Sequence, residues 1–173
     1  RSSSSATWSN GLKKETMILL ALNELNLDYI KGYVSQGKLT NIGKLLEHGV
    51  VNTTSESKYE LLEPWIQWVT VQTGKTYDEH QVFRLGDIVD RPDLHQIFED
   101  LEKLGLSVGA ISPFNADNRL SSSKFFIPDP WTKTKTDKSN TSELINMVLK
   151  STVNSNAQNK IGFKNYLYIL FLL

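Results

Sequence analysis

The chain contains no cysteine. Disulfides, thiolate metal sites and thiol nucleophiles are thereby excluded, and the compartment is left open. It also has no net charge, with 19 basic and 19 acidic residues. Nothing in that balance points to nucleic acid, a membrane surface or another polyanion as partner. The 10 glycines form no phosphate-cradling loop and no dinucleotide fingerprint. The three histidines, His48, His80 and His95, lie far apart without paired metal spacing. No apolar run approaches the ~20 residues needed to cross a bilayer. The opening RSSSSATWSNG has neither Met nor the apolar core of a signal peptide. Residues 1–13 read as a disordered leader or a vector remnant, and a cytoplasmic location is the default expectation.

What is present is an α/β pattern. At 173 residues the chain is long enough for one domain with a sizeable core, here residues 14–173. The first apolar run, Met17 to Leu22, is bounded by polar residues and reads as a strand buried on both faces, as in a parallel sheet. It ends at Asn23-Glu24. In open parallel sheets ligands bind at the carboxyl edge, so these two residues stand where chemistry is expected. The alternative is a solvated turn, or a helix start that welcomes a carboxylate. Leu25, Ile30, Tyr33 and Val34 give a helical stripe closed by Gly37, and Leu39 to Leu46 a second closed by Gly49. Val50 to Glu56 is β-branched and predicts a second strand. Trp65 to Thr73 predicts a helix opened by Pro64 and closed by Gly74, followed by a loop from Lys75 to Arg84. Pro92 opens a further helix ending at Gly105, and Leu106 to Ser112 is a third buried strand. Phe125 to Ile127 is a short extended piece. TKTKTDKSN, residues 132–140, reads as an exposed loop, and Thr141 to Ser151 as a capped helix. The alternation of strands and helices predicts a mostly parallel sheet flanked by helices.

Four residues after the third strand, Asn115, Asp117, Asn118 and Arg119, invite a substrate-binding reading. Loops there suit ligands, and an Arg can hold a phosphate or carboxylate through two hydrogen bonds. The alternative is an Asn/Asp turn bonded to its own backbone. Trp65, Trp68 and Trp131 suggest either a stacking surface or core. His95 reads as a surface residue and His48 as a cation suited to a helix end. His80, beside Asp78 and Glu79, is the histidine to watch. From Ile161 the apolar IGFKNYLYILFLL has no cap and no polar face. Such a helix needs partners on every side, so it reads as the cut end of a larger domain or as an oligomer contact.

Three stretches in order resemble the alkaline phosphatase superfamily, in its type I phosphodiesterase, nucleotide pyrophosphatase and sulfatase branch. MILLALNELN with GKLTNIGKLLEHGVV is similar to the family's opening strand, acidic metal-binding turn and following helix. EPWIQWVTVQTGKTYDEHQV is similar to its P-x-W-x-T-x-x-T-G-x-x-P-x-x-H-G-I segment, with Trp68, Thr70, Thr73, Gly74 and His80 on the pattern. LEKLGLSVGAIS is similar to its helix-to-strand unit. The match covers roughly residues 15 to 112.

The resemblance implies a metal-dependent hydrolase or transferase acting on a small phosphorylated or sulfated substrate, in an alkaline-phosphatase-like fold of which this chain is the N-terminal portion. A divalent metal, zinc or manganese, would clamp the attacking and leaving oxygens. Glu24 and Asn23 occupy the position where the family usually carries an Asp ligand. The family's nucleophile position falls on Pro64, which cannot attack, and the adjacent Glu63 is the catalytic candidate there, as base, ligand or cap. With the nucleophile and the later ligands missing, the chain alone would be inactive. A non-catalytic α/β module binding a sugar phosphate or a protein partner is the alternative.

Overall fold

In the computed structural model, residues 16–157 are described. The chain divides into two compact units, Arg1–Gly43 and Lys44–Leu173. The described residues contain six α-helices and one two-stranded parallel sheet, so the protein is mixed α/β.

In the first unit, Met17–Leu22 forms no strand. Its large side chains are exposed, from 50% at Leu22 to 87% at Ile18. The expectation of a doubly buried strand is corrected here. An apolar run becomes a strand only where another strand supplies the ladder, and among the described residues none does. Asn23 and Glu24 then form a turn. α1 (Leu27–Ser35) starts where the Asn26 Oδ1 accepts from the backbone N–H of Asp28 and Tyr29, at 3.0 and 3.1 Å. It ends at Gly37, whose φ of 72° closes the helix as a left-handed residue. α2 (Thr40–Glu47) runs across the division.

In the second unit, Val50–Glu56 also forms no strand; Val51 is 90% exposed. The same absence of a partner ladder explains it. α3 (Pro64–Thr73) matches its expected bounds, with Pro64 in its first turn and Gly74 left-handed at its end. The expected loop after it contains a short helix, α4 (Tyr77–His80). A reciprocal capping box fixes that helix: the Thr76 hydroxyl and N–H both bond the Glu79 carboxylate. α5 (Ile97–Lys103) starts five residues later than Pro92 suggested. The Arg91 guanidinium clamps Asp93 at 2.7 Å and closes a turn there, and the capping pair Gln96 and Glu99 sets the true start. Val69, Val82, Ile88 and Leu94 form the core between these elements.

β1 (Gly109–Ile111) and β2 (Phe125–Ile127) pair in parallel, Gly109 opposite Phe125 and Ile111 opposite Ile127. Gly109 is required by this register. A Cβ there would stand 2.5 Å from the Phe125 ring. Phe126 is fully buried and meets Phe98 of α5 edge to face at 6.0 Å. α6 (Asn140–Ala157) is longer than expected and packs on β2. The sheet is parallel and helix-flanked as predicted, but among the described residues it has two short strands rather than the several expected. The apolar C-terminal segment and residues 1–13 lie outside the described residues.

The segment 131–137 departs most from expectation. Trp131, Lys133 and Lys135 are exposed, whereas Thr132, Thr134 and Thr136 are buried. Only one side of the TKTKT run faces solvent, and the fully exposed loop is corrected. Among the described residues no helix is long and apolar enough to cross a membrane.

Candidate functional site

The chain leaves the carboxyl end of β1 through two tight turns. Ser112 and Asn115 are both left-handed, with φ of 50° and 47°. Non-glycine residues hold that conformation only when the surroundings over-determine it. For Asn115 the surroundings are visible. It is fully buried. Its Oδ1 accepts from the Gly86 N–H at 2.8 Å, and its Nδ2 donates to the Trp65 carbonyl at 2.6 Å. Its N–H donates to the Asp129 Oδ2 at 3.3 Å. The side chain thus joins the start of α3 to the turn at Gly86, and the backbone N–H of the same residue ties them to Asp129 beyond β2.

Asp129 lies just beyond β2 and is fully buried. Burial pushes its carboxyl above the ordinary value, against the N–H groups of Trp131 and Asn115, which hold it down. Arg119 is equally engaged, at 15% exposure. Its Nε donates to Asp117 at 2.8 Å, and its two terminal nitrogens donate to the carbonyls of Leu94 and Ile88 at 2.6 and 2.7 Å. Asn118 donates to the carbonyls of Lys135 and Thr136 at 3.2 and 3.1 Å. The structure therefore brings Asn115, Asn118 and Arg119 into one region, with their hydrogen bonds directed at the protein itself.

Glu63 is exposed at the first position before α3, and its side chain makes no capping hydrogen bond. Glu24 is exposed on its turn with φ of 56°, and Asn23 precedes it. Glu24 and Glu63 belong to different units. Among the described residues no group of three or more His, Asp or Glu side chains is arranged to hold a metal ion.

His80 is fully buried. Its Nδ1 accepts from the Val82 N–H at 3.0 Å, so the ring proton sits on Nε2, which faces the Thr70 hydroxyl at 3.2 Å. Its carbonyl accepts from the Arg91 guanidinium. Burial holds the imidazole below its usual value; Glu56 opposes this and Arg91 adds to it. This is a neutral, structural arrangement. It ties Thr70 of α3 to His80 of α4. His95 is on the surface near Glu99 and Asp100.

A cleft of about 250 Å³ opens beside Leu120, Ser121, Ser122, Ser123, Thr136, Asp137 and Lys138. The Ser121 and Ser122 N–H groups donate to the Glu102 carboxylate at 3.0 and 2.7 Å. Asp137 meets a burial cost, yet bonds from Ser139, Ser142 and the Phe126 N–H outweigh it and hold the carboxyl down at about 2. Its lining combines serine and threonine hydroxyls with the Asp137 carboxylate and the Lys138 ammonium.

Sequence reasoning missed Asp129, Gln96 and Thr134. Gln96 is fully buried and bridges to Asp117 in both directions, at 2.9 and 3.0 Å. The Thr134 hydroxyl donates to the Ala116 carbonyl at 2.7 Å. The alternation of Thr and Lys was the available signal for Thr134; no local signal marks Asp129 or Gln96. No protein-family model, curated protein or solved structure matches this chain.

Proposed function

We propose that this chain is the nucleophile-side portion of a phosphate- or sulfate-ester hydrolase or transferase of the alkaline phosphatase type. The observation that supports this reading is the unit from Glu63 to His80. Of the residues on the family pattern (Trp68, Thr70, Thr73, Gly74 and His80), the first three lie in α3, Gly74 closes it and His80 ends α4, with Thr70 and His80 in contact in one packed helix-turn-helix. At its start, Glu63 stands exposed and uncapping at a helix N-terminus, where an anion is favoured.

In this reading Glu24 and Asn23, in the first unit, are the candidate ligands to a divalent zinc or manganese ion, and Glu63, in the second, is the candidate catalytic carboxylate. The described residues alone do not assemble the metal centre, so further donors are required and no chemical step is derived through the ion. Asn115, Asn118 and Arg119 frame the loop beyond β1 rather than holding substrate with free donors. The alkaline-phosphatase-like fold is part of the same proposal.

The test is hydrolysis of 4-nitrophenyl phosphate, bis(4-nitrophenyl) phosphate and 4-nitrophenyl sulfate by the full-length native protein with zinc or manganese. Metal-dependent turnover that Glu63→Gln lowers supports the reading; no turnover of any ester opposes it. Pro64 at the nucleophile position favours a second reading, a non-catalytic module that binds a sugar phosphate or a protein. Binding of glucose 6-phosphate that survives a chelator and Glu24→Gln would select it.

A further inference from the structure

We propose that the outer side of the segment Trp131–Lys135 is a docking strip for an anionic polysaccharide, independent of any ester chemistry. The strip begins with burial alternation. Thr132, Thr134 and Thr136 are 4%, 2% and 4% exposed, whereas the intervening Lys133 and Lys135 are exposed and Trp131 is 57% exposed. Trp131 stands in the turn where the Thr132 N–H bonds the Asp129 carbonyl at 3.2 Å, and Lys133 and Lys135 follow it with the threonines between them turned inward. The strip therefore presents one indole and two ammonium groups on its outer side.

The inner side fixes that arrangement. The Thr132 hydroxyl donates to the Asp129 carbonyl at 3.0 Å, the Thr134 hydroxyl to the Ala116 carbonyl at 2.7 Å, and the Thr136 hydroxyl to Glu143. Asn118 holds the carbonyls of Lys135 and Thr136. The backbone is ordered before any ligand arrives, which removes part of the entropic cost of binding.

Charge is separated across the segment. The nearby acids are each bonded to the protein itself: Asp129 is buried, the half-buried Asp137 accepts from Phe126, Ser139 and Ser142, and the exposed Glu143 accepts from the Thr136 hydroxyl. Among the described residues, Lys133 and Lys135 join no ion pair. Whole-chain neutrality conceals a local cationic patch beside an exposed aromatic face. An indole packs the apolar face of a pyranose, and ammonium groups pair with sulfate, phosphate or carboxylate on neighbouring sugars. A nucleic-acid site would call for a broadly basic domain and several stacking aromatics; the chain has a pI of about 7.0 and one aromatic on the strip.

The experiment titrates the native protein with a heparin-derived tetrasaccharide, its desulfated counterpart and a single-stranded oligonucleotide of matched charge, at low and physiological salt. The sulfated sugar should bind with quenching of tryptophan fluorescence, and Trp131→Ala should remove that quench. Lys133→Ala with Lys135→Ala should weaken binding by about tenfold, from two exposed charge pairs, and flatten its salt dependence. All three positions are exposed, and Lys133→Glu with Lys135→Glu gives a second variant in which binding should vanish. No binding at low salt, binding unchanged in both lysine variants, or tighter binding of the oligonucleotide would overturn the proposal.

Discussion

Consider the loss of the Arg119 guanidinium. In Arg119→Ala three charge-assisted bonds disappear, to Asp117, Leu94 and Ile88. Hydrogen bonds to charged groups contribute roughly 1.5–3 kcal/mol each. They share one side chain, so they do not simply add. The larger effect is on what stays behind. The Asp117 side chain is 15% exposed and loses its cation, while Leu94 and Ile88 are 2% and 0% exposed and their carbonyls lose a donor. Removing one partner of such a buried pair costs about 3–5 kcal/mol. With a urea dependence of about 2 kcal/mol per molar, the unfolding midpoint should fall by about 2 M. Arg119→Lys should recover at most a third to a half of that, since one ammonium cannot span three acceptors in a fork. Urea unfolding followed by circular dichroism reads both. If Arg119→Ala shifts the midpoint by less than about 0.5 M yet abolishes binding of phosphate esters, Arg119 is a ligand residue and the bracing argument is wrong.

Asn115→Ala should destabilise by about 2–4 kcal/mol, and Asn115→Gly should recover little. Glycine relieves the positive φ but replaces neither the Gly86 nor the Trp65 bond; a glycine variant as stable as the native chain in thermal melts would show that strain dominates. His80 is held neutral by burial, below its ordinary value. Its contribution is therefore complete above about pH 6.5 and lost as pH falls toward the depressed folded value. His80→Asn, which keeps an acceptor for the Val82 N–H, should flatten the fall in midpoint between pH 6.5 and 5 in urea titrations; an unchanged slope would contradict this. Gly109→Ala should cost about 1–3 kcal/mol from overpacking against Phe125, and Phe125→Leu in the same chain should restore part of it. Additive losses in that double-mutant cycle would refute the contact.

Some of this architecture was legible because its causes are local. α3 could be bounded from Pro64 and Gly74 alone, since one sets φ at a helix start and the other accepts the left-handed closing residue. The cap at Asn26 and the box at Thr76 and Glu79 obey the same short-range chemistry, yet neither was among the expected elements, and α4 falls in a stretch expected as loop. Met17–Leu22 was not legible. Its apolar character signals burial, but burial is decided by a partner that no neighbour in sequence names. The Pro92 start failed because an Arg91–Asp93 clamp made a turn of it. The TKTKT run was misjudged by composition: Thr and Lys are both hydrophilic, yet the threonines go inward with their hydroxyls satisfied. Within the candidate site, residue types located the loop at Asn115–Arg119. They did not show that its donors would turn toward carbonyls 17 to 50 residues away, because those acceptors become neighbours only through the fold.

The ester-processing proposal is tested most directly by thermal unfolding of the full-length native protein with manganese or zinc, beside its Glu24→Gln variant. The account predicts a saturable rise in Tm that Glu24→Gln diminishes, because a ligand that binds only the folded state stabilises it by mass action. An unchanged Tm at saturating concentrations of both metals, or an equal rise in the variant, would contradict it.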